Sequence, residues 1–176
     1  MGKGCLILGE IEDYITGKTI KDTHDERYKQ KLARLLVDDK GYQKNEIKAG
    51  HQLLVNAGDK TAFINVDFMI TLSGRICMII KYGPGSLVTR HRPALSVSRL
   101  VAGYQVPVVV VSNGEDAEVI SGSTGDVVSQ GLDSIPSKPE LLEIAEHADF
   151  TSISEKQAMM EARIVYVFEI DGSCSI

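Results

Sequence analysis

Apolar residues recur at Tyr28, Leu32, Leu35 and Leu36, the spacing of one face of a helix. In front of them Thr23-His24-Asp25-Glu26 has the spacing of a capping box, and Lys40-Gly41 closes the helix behind. The residues before position 23 read as an extended lead-in with a turn at Gly17. Residues 47–55 alternate as a strand does and end in the turn Asn56-Ala57-Gly58-Asp59. Two further strands, 62–72 and 75–82, meet across Ser73-Gly74, a tight hairpin signal. Both are apolar on both faces, which predicts the centre of a sheet covered by helices on each side. Residues 87–104 predict a helix that starts properly at Pro93, followed by buried strands at 106–112 and 118–121. Residues 121–137 read as loop, and Ser137-Lys138-Pro139-Glu140 opens a helix to His147. A further helix at 154–161 and a last strand at 163–170 complete an α/β domain with a mixed sheet.

Composition narrows the class. A chain of 176 residues, 43% hydrophobic and 24% charged, is one domain with a real core. It has no apolar run of spanning length, so no membrane partner is expected. The apolar patch from Cys5 to Leu8 meets Glu10, Glu12 and Asp13 too soon to be a signal peptide. Cys5, Cys77 and Cys174 are far apart and odd in number, which argues against a disulfide framework or a zinc site and for a cytoplasmic location.

Charge changes the picture more. The formal net charge is -5, yet no acid occurs from Phe68 to Gly114, a stretch that carries Arg75, Lys81, Arg90, Arg92 and Arg99. Such a segment suits a phosphate-bearing ligand, with backbone amides at Gly85 and Ser86 of the turn Gly83-Pro84-Gly85-Ser86 able to hold an anion. The plainer account is a solvated face paired with acids from elsewhere. Alternation places Cys77, Ile79 and Lys81 on one face of their strand and Ile76, Met78 and Ile80 on the other. Asp67, on the neighbouring strand, can present its carboxylate beside Lys81, and Glu26 stands in the first turn of the first helix. Acid, lysine and helix acid around a gap suit Mg²⁺. The structural alternatives are a buried Asp67–Lys81 ion pair, and a Glu26 that only closes its capping box.

The segments Val66-Asp67-Phe68 and Ile79-Ile80-Lys81, with Glu26-Arg27 on the preceding helix, resemble the PD-(D/E)XK nuclease core. More narrowly, with Gly41-Tyr42 and the stretch from Val108 to Asn113-Gly114, they resemble the domain at the N-terminus of type I restriction enzyme R subunits. The resemblance covers residues 25–118. It implies a restriction-endonuclease-like α/β fold, a mixed sheet flanked by helices on both faces. The expected division is a lead-in at 1–22, the core at 23–121 and an extension of two helices and a strand at 122–176, packed on the same domain.

The resemblance also assigns roles. Asp67 is the metal-binding aspartate, Lys81 the catalytic lysine, and Glu26 a supporting metal ligand. The second metal-binding acid is missing, because Ile79 stands two residues before the lysine. The leading expectation is therefore a nuclease-related protein with a degenerate Mg²⁺ site, weak or lost. It would bind nucleic acid or another phosphate-rich ligand through Lys81, Gly85, Ser86, Arg90, Arg92 and Arg99 without efficient cleavage. A second expectation is an active Mg²⁺-dependent endonuclease rescued by a carboxylate from elsewhere, such as Glu10 or Glu12. A third is a non-catalytic scaffold or homo-oligomer that reuses the fold and offers its last strand as an interface. No helicase or translocase motif is present.

Overall fold

Strands that are apolar on both faces need cover on both faces, and four helices supply it. The computed structural model describes residues 6–171, so Cys5 and Cys174 lie outside the described residues. The lead-in forms a small antiparallel pair, β1 (Gly9–Glu12) and β2 (Thr19–Asp22). Then come α1 (His24–Arg34), which runs on as a π-helical turn over Leu35–Asp39, and β3 (Ile47–Ala57), β4 (Lys60–Leu72) and β5 (Arg75–Tyr82). After these follow α2 (His91–Leu100), β6 (Val108–Ser112), β7 (Ala117–Ser121) and β8 (Val127–Gln130). The chain continues with α3 (Lys138–Glu146) and α4 (Glu155–Tyr166).

Six strands form one sheet in sequence order, antiparallel except for the parallel pair β5–β6, across which α2 makes the crossover. One core packs Leu32 and Leu36 of the first helical segment and Leu141 of α3 against Phe68, Ile70, Met78 and Ile80. The other packs Val97 of α2 and Val165 of α4 against Val66, Ile79, Val109 and Val111. The mixed sheet with helices on both sides is as expected. β8 and α3, from the segment after residue 121, complete the same sheet and the same core.

Four local expectations are corrected. Residues 163–170 are helical, not a strand: α4 continues to Tyr166 and turns on as a π-helical segment over Val167–Asp171. The β-branched residues Ile164, Val165 and Val167 suggest a strand, but burial of Ala162 and Val165 three apart on one helical face overrides that preference. The segment read as loop contains β8, a short strand with both valines exposed or nearly so and hence no alternation signal. Cys77 faces the opposite way from Ile79 and Lys81: Ile70 pairs with Met78 and Thr71 with Ile76, so Cys77 is the extra residue of a β-bulge and joins the core of Met78 and Ile80.

The fourth concerns Glu26. Thr23 Oγ1 accepts from the Glu26 amide at 3.1 Å, but the Glu26 carboxylate does not complete the box and turns to Gln30 and Lys29. At Ser137 the reciprocal bond is made, the Ser137 amide donating to Glu140 at 2.7 Å.

One bend places the candidate site. In β3, Ile47 and Ala49 face the first core, whereas Leu53 and Val55 face the second, although all have the same parity. Gly50, with φ +63°, lies between them and permits the turn of the ribbon. In β4 the change of face falls between Val66 and Phe68, so Asp67 sits at the bend.

Candidate active site

Asp67 is buried because it completes a ladder. The β4–β5 pairing ends at Phe68–Ile80, and the next free amide, that of Tyr82, donates to Asp67 Oδ2 at 2.7 Å. The other oxygen accepts from Asn65 Nδ2 at 2.8 Å. A cation completes the set: Lys29 Nζ of α1 lies 3.2 Å from Asp67 Oδ1 and 3.8 Å from Glu26 Oε2. The ammonium of Lys29 thus stands between the two carboxylates expected to hold a metal. Gln30 braces Glu26 at 3.1 Å and ties it to Asp13 of the lead-in, whose carboxyl also accepts from Gln30 at 3.1 Å.

Lys81 is not the partner of Asp67. Its Nζ donates to the Asn65 carbonyl at 2.6 Å and pairs with Glu169 at 3.2 Å. Asn65 therefore links the two, its side chain on Asp67 and its carbonyl on Lys81. The expected Asp67–Lys81 ion pair is replaced by two separate pairs, Asp67–Lys29 and Lys81–Glu169. Ile79 is wholly covered and packs in the second core, so no solvent-facing position exists there for a metal-binding side chain. Among the described residues no three acids, histidines or cysteines are grouped to hold a metal ion.

Tyr82 forms the wall beside this cradle. Its ring stacks with Tyr28 at 6.3 Å between centroids, and its hydroxyl donates to Asp25 at 3.0 Å. Burial and that bond to Asp25 raise the phenol above its ordinary value. Gly114 lies against Tyr28: a Cβ there would come within 2.4 Å of the ring, so the β6–β7 turn and α1 fit only with glycine.

The family described as type I restriction enzyme R protein N terminus matches residues 24–136. The chain belongs to that family. The match spans α1 to the loop before α3 and so contains Glu26, Lys29, Asp67 and Lys81. Among solved structures, the type IIG restriction endonuclease BpuSI is similar over 97% of this chain, at 13% identity and a TM-score of 0.43. The chain spans 19% of that protein's length. No curated protein of similar sequence matches.

In this family member the acid-free segment is basic in sequence but largely matched in space. Arg92 and Arg99 of α2 both pair with Glu161 of α4, at 2.8 and 2.5 Å, and Ser96 donates to the same carboxylate at 2.7 Å. Burial pushes the Glu161 carboxyl up, but the bonds from Ser96, Arg92 and Arg99 outweigh it and hold it below the ordinary carboxylate value. Arg90 folds back on its own turn and donates to the Pro84 carbonyl at 2.8 Å. Arg75 lies over the ring of Phe150, and His91 pairs with Glu118. Gly85 and Ser86 remain exposed on the turn.

The rescuing acids expected at Glu10 and Glu12 lie on β1, where Glu12 lines a separate groove with Arg27 and Arg34. The acid that does reach Lys81 is Glu169. Sequence reasoning missed Lys29, Asn65 and Glu169. The first two had a signal: Lys29 is three residues after Glu26 on a helix, and Asn65 shares a strand face with Asp67. Glu169 had none while its segment was read as a strand.

Proposed function

We propose that this chain is a non-cleaving domain of the restriction-enzyme family, its metal cradle closed by a lysine of its own. The observation that carries this is Lys29 Nζ, placed between Asp67 and Glu26. A divalent cation needs anionic oxygens with free lone pairs facing one point. Here both Asp67 oxygens are bonded to neighbours, Glu26 faces an ammonium, and the third corner is the buried Ile79. The residues present therefore do not fit Mg²⁺, and no reaction step is derived through it. What the carboxylates do instead is hold α1 to the bend of β4.

Polyanion binding along Lys81, Arg90, Arg92 and Arg99 has less support than the sequence suggested. Glu161 and Glu169 pair with three of these cations from within the chain and cancel two of the three charges. Nucleic acid on this face would have to compete with these carboxylates for Lys81, Arg92 and Arg99. The module then acts through contacts other than a phosphate track.

The test is calorimetric titration of Mn²⁺ and Mg²⁺ into the native chain, Lys29→Ala and Lys29→Ala with Asp67→Ala, beside plasmid cleavage by each. The expectation is no metal binding and no cleavage by the native chain, binding once Lys29 is removed, and its loss when Asp67 is also removed. Metal binding by the native chain that depends on Asp67, with metal-dependent cleavage, would instead make this a working nuclease completed by an acid such as Glu169.

A further inference from the structure

A groove lies at the other end of the sheet from Asp67. Lys81 pairs with Val111 near one end of β6, and the groove opens at Pro107 and Val108 at the other. One cavity of 450 Å³ lies between α3 and the strands β7 and β8, and a second of 240 Å³ adjoins it, sharing Pro107, Ser121 and Ile144. Together they run along α3. Their size suits several side chains rather than one water or ion.

Three properties of this groove point the same way. It is apolar where it is deepest, at Val108 and Val119, and its lip carries exposed aliphatic surface, Val128 at 63% and Ile144 at 39% exposed. Its charged lining is acidic: Glu140 and Glu143 border the larger cavity and Asp149 the smaller, and among the described residues no lysine or arginine lines either. It also lies beside β8, the last strand of the sheet, whose outer backbone edge pairs with no strand of that sheet. An unpaired edge next to an apolar groove is the arrangement that accepts an added strand, with backbone bonds giving affinity and pockets reading alternate side chains.

We propose that this groove docks an extended peptide segment of a partner protein, in which the side chains at every second position are aliphatic or cationic (lysine or arginine). The backbone of the segment pairs with β8, its aliphatic side chains fill the space between Val119, Val128 and Ile144, and its cations meet Glu140 and Glu143. Period-two spacing puts every second side chain of the added strand on the α3 side of the sheet, so the aliphatic residues that meet the apolar floor and the cations that meet the acidic lip stand on one face of the segment. A second copy of this chain is the poorer occupant, because symmetric pairing at β8 brings the same acids face to face. The proposal is independent of the Asp67 cradle and stands whether or not that site cleaves.

The test begins with a phage-displayed library of random dodecapeptides selected against the full chain. An enriched peptide, made synthetically with a fluorophore, is then titrated by polarisation against the native chain, Val128→Asp, Glu143→Lys and Lys29→Ala. Enrichment of aliphatic residues with lysine or arginine is expected, with affinity falling about tenfold or more in each groove variant. Affinity should also fall with salt and stay unchanged in Lys29→Ala. Both altered groove residues are exposed, so the variants should keep the native circular dichroism spectrum. Failure of any peptide to enrich, enrichment of acidic peptides, or binding indifferent to both groove variants would overturn the proposal. Self-association of the native chain that Val128→Asp abolishes would overturn it too, by making a second copy the occupant.

Discussion

Two charged clusters flank the same sheet, and they differ in what would follow from opening them. On one side Glu161 receives Arg92, Arg99 and Ser96 with its side chain only 3% exposed, and the result is a clamp between α2 and α4. On the other, Lys29 meets Asp67 and Glu26 with 27% of the lysine side chain and 23% of the glutamate side chain exposed, at a mouth that solvent can enter. The clamp has one carboxylate, and it is closed off although Arg92 reaches solvent with 43% of its side chain; the cluster joins two helices. The cradle buries Asp67 as deeply, at 4%, but its second carboxylate, Glu26, reaches solvent, and its cation arrives on a flexible stem from a helix surface. A second carboxylate in reach of solvent, not the burial of the cations, separates the cluster that retains the outline of a site from the structural one.

The largest effect expected comes from restoring the acid at the position where the family motif would have it. Ile79→Glu would set a carboxylate among Val109, Val111 and Val97, where Ile79 is wholly covered. The cost should be about 4 kcal/mol, as for an unpaired charge in a core. Urea unfolding of Ile79→Glu against the native chain measures it. A variant as stable as the native chain would mean that the new side chain reaches Lys81 and solvent, and that the cradle is closer to a living site than its packing indicates.

Next in size is the clamp. Glu161→Leu keeps volume but leaves Arg99, 17% exposed at its side chain, without its carboxylate. A loss of about 3 kcal/mol is expected, the usual consequence of removing one partner of a buried pair. The same group gives a pH dependence with a definite sign. Its carboxyl is held below the ordinary value of 4.5, so its contribution is complete above that pH and is lost as pH falls through the lower folded value. Native unfolding midpoints should therefore fall below about pH 4.5 more steeply than those of Glu161→Leu. Equal slopes would show that the clamp holds no excess charge energy.

How much of this was legible beforehand depends on the range of each interaction. The hairpin at Ser73-Gly74, the buried strand from Val108 and the helix after Ser137 are written in local patterns, and they form where expected. Asp67 and Lys81 were correctly placed on adjacent strands. Their partners were not, because an ion pair is chosen by three-dimensional proximity. The bulge at Cys77 and the bend at Gly50 reassign which side chains share a face, and neither changes the apolar pattern that a reader can see. The basic segment misled for a related reason. An acid-free stretch says nothing about acids contributed by a later helix, and α4 supplies Glu161 to Arg92 and Arg99.

The smallest effect sharpens the comparison most, because it concerns the acid that stands at Lys81. Glu169 lies in the helical turn after α4, 27% exposed at its side chain, and its bond to Lys81 is 3.2 Å. Lys81 keeps a second acceptor in the Asn65 carbonyl at 2.6 Å whatever happens to Glu169. Glu169→Gln retains the shape and a hydrogen-bonding oxygen while removing the charge, so stability should fall by about 1 kcal/mol, less than in Glu161→Leu although the Lys81 side chain is only 9% exposed. Urea unfolding and heteronuclear NMR of the Lys81 and Asn65 signals measure both consequences. A small loss with local shifts places Glu169 with the cradle, as a solvent-touched partner that can be exchanged for another ligand of the lysine. A loss as large as that of Glu161→Leu would place it with the clamp, and would mean that Glu161 and Glu169 alike serve only to fasten the last helical segment, to α2 and to Lys81 of the sheet.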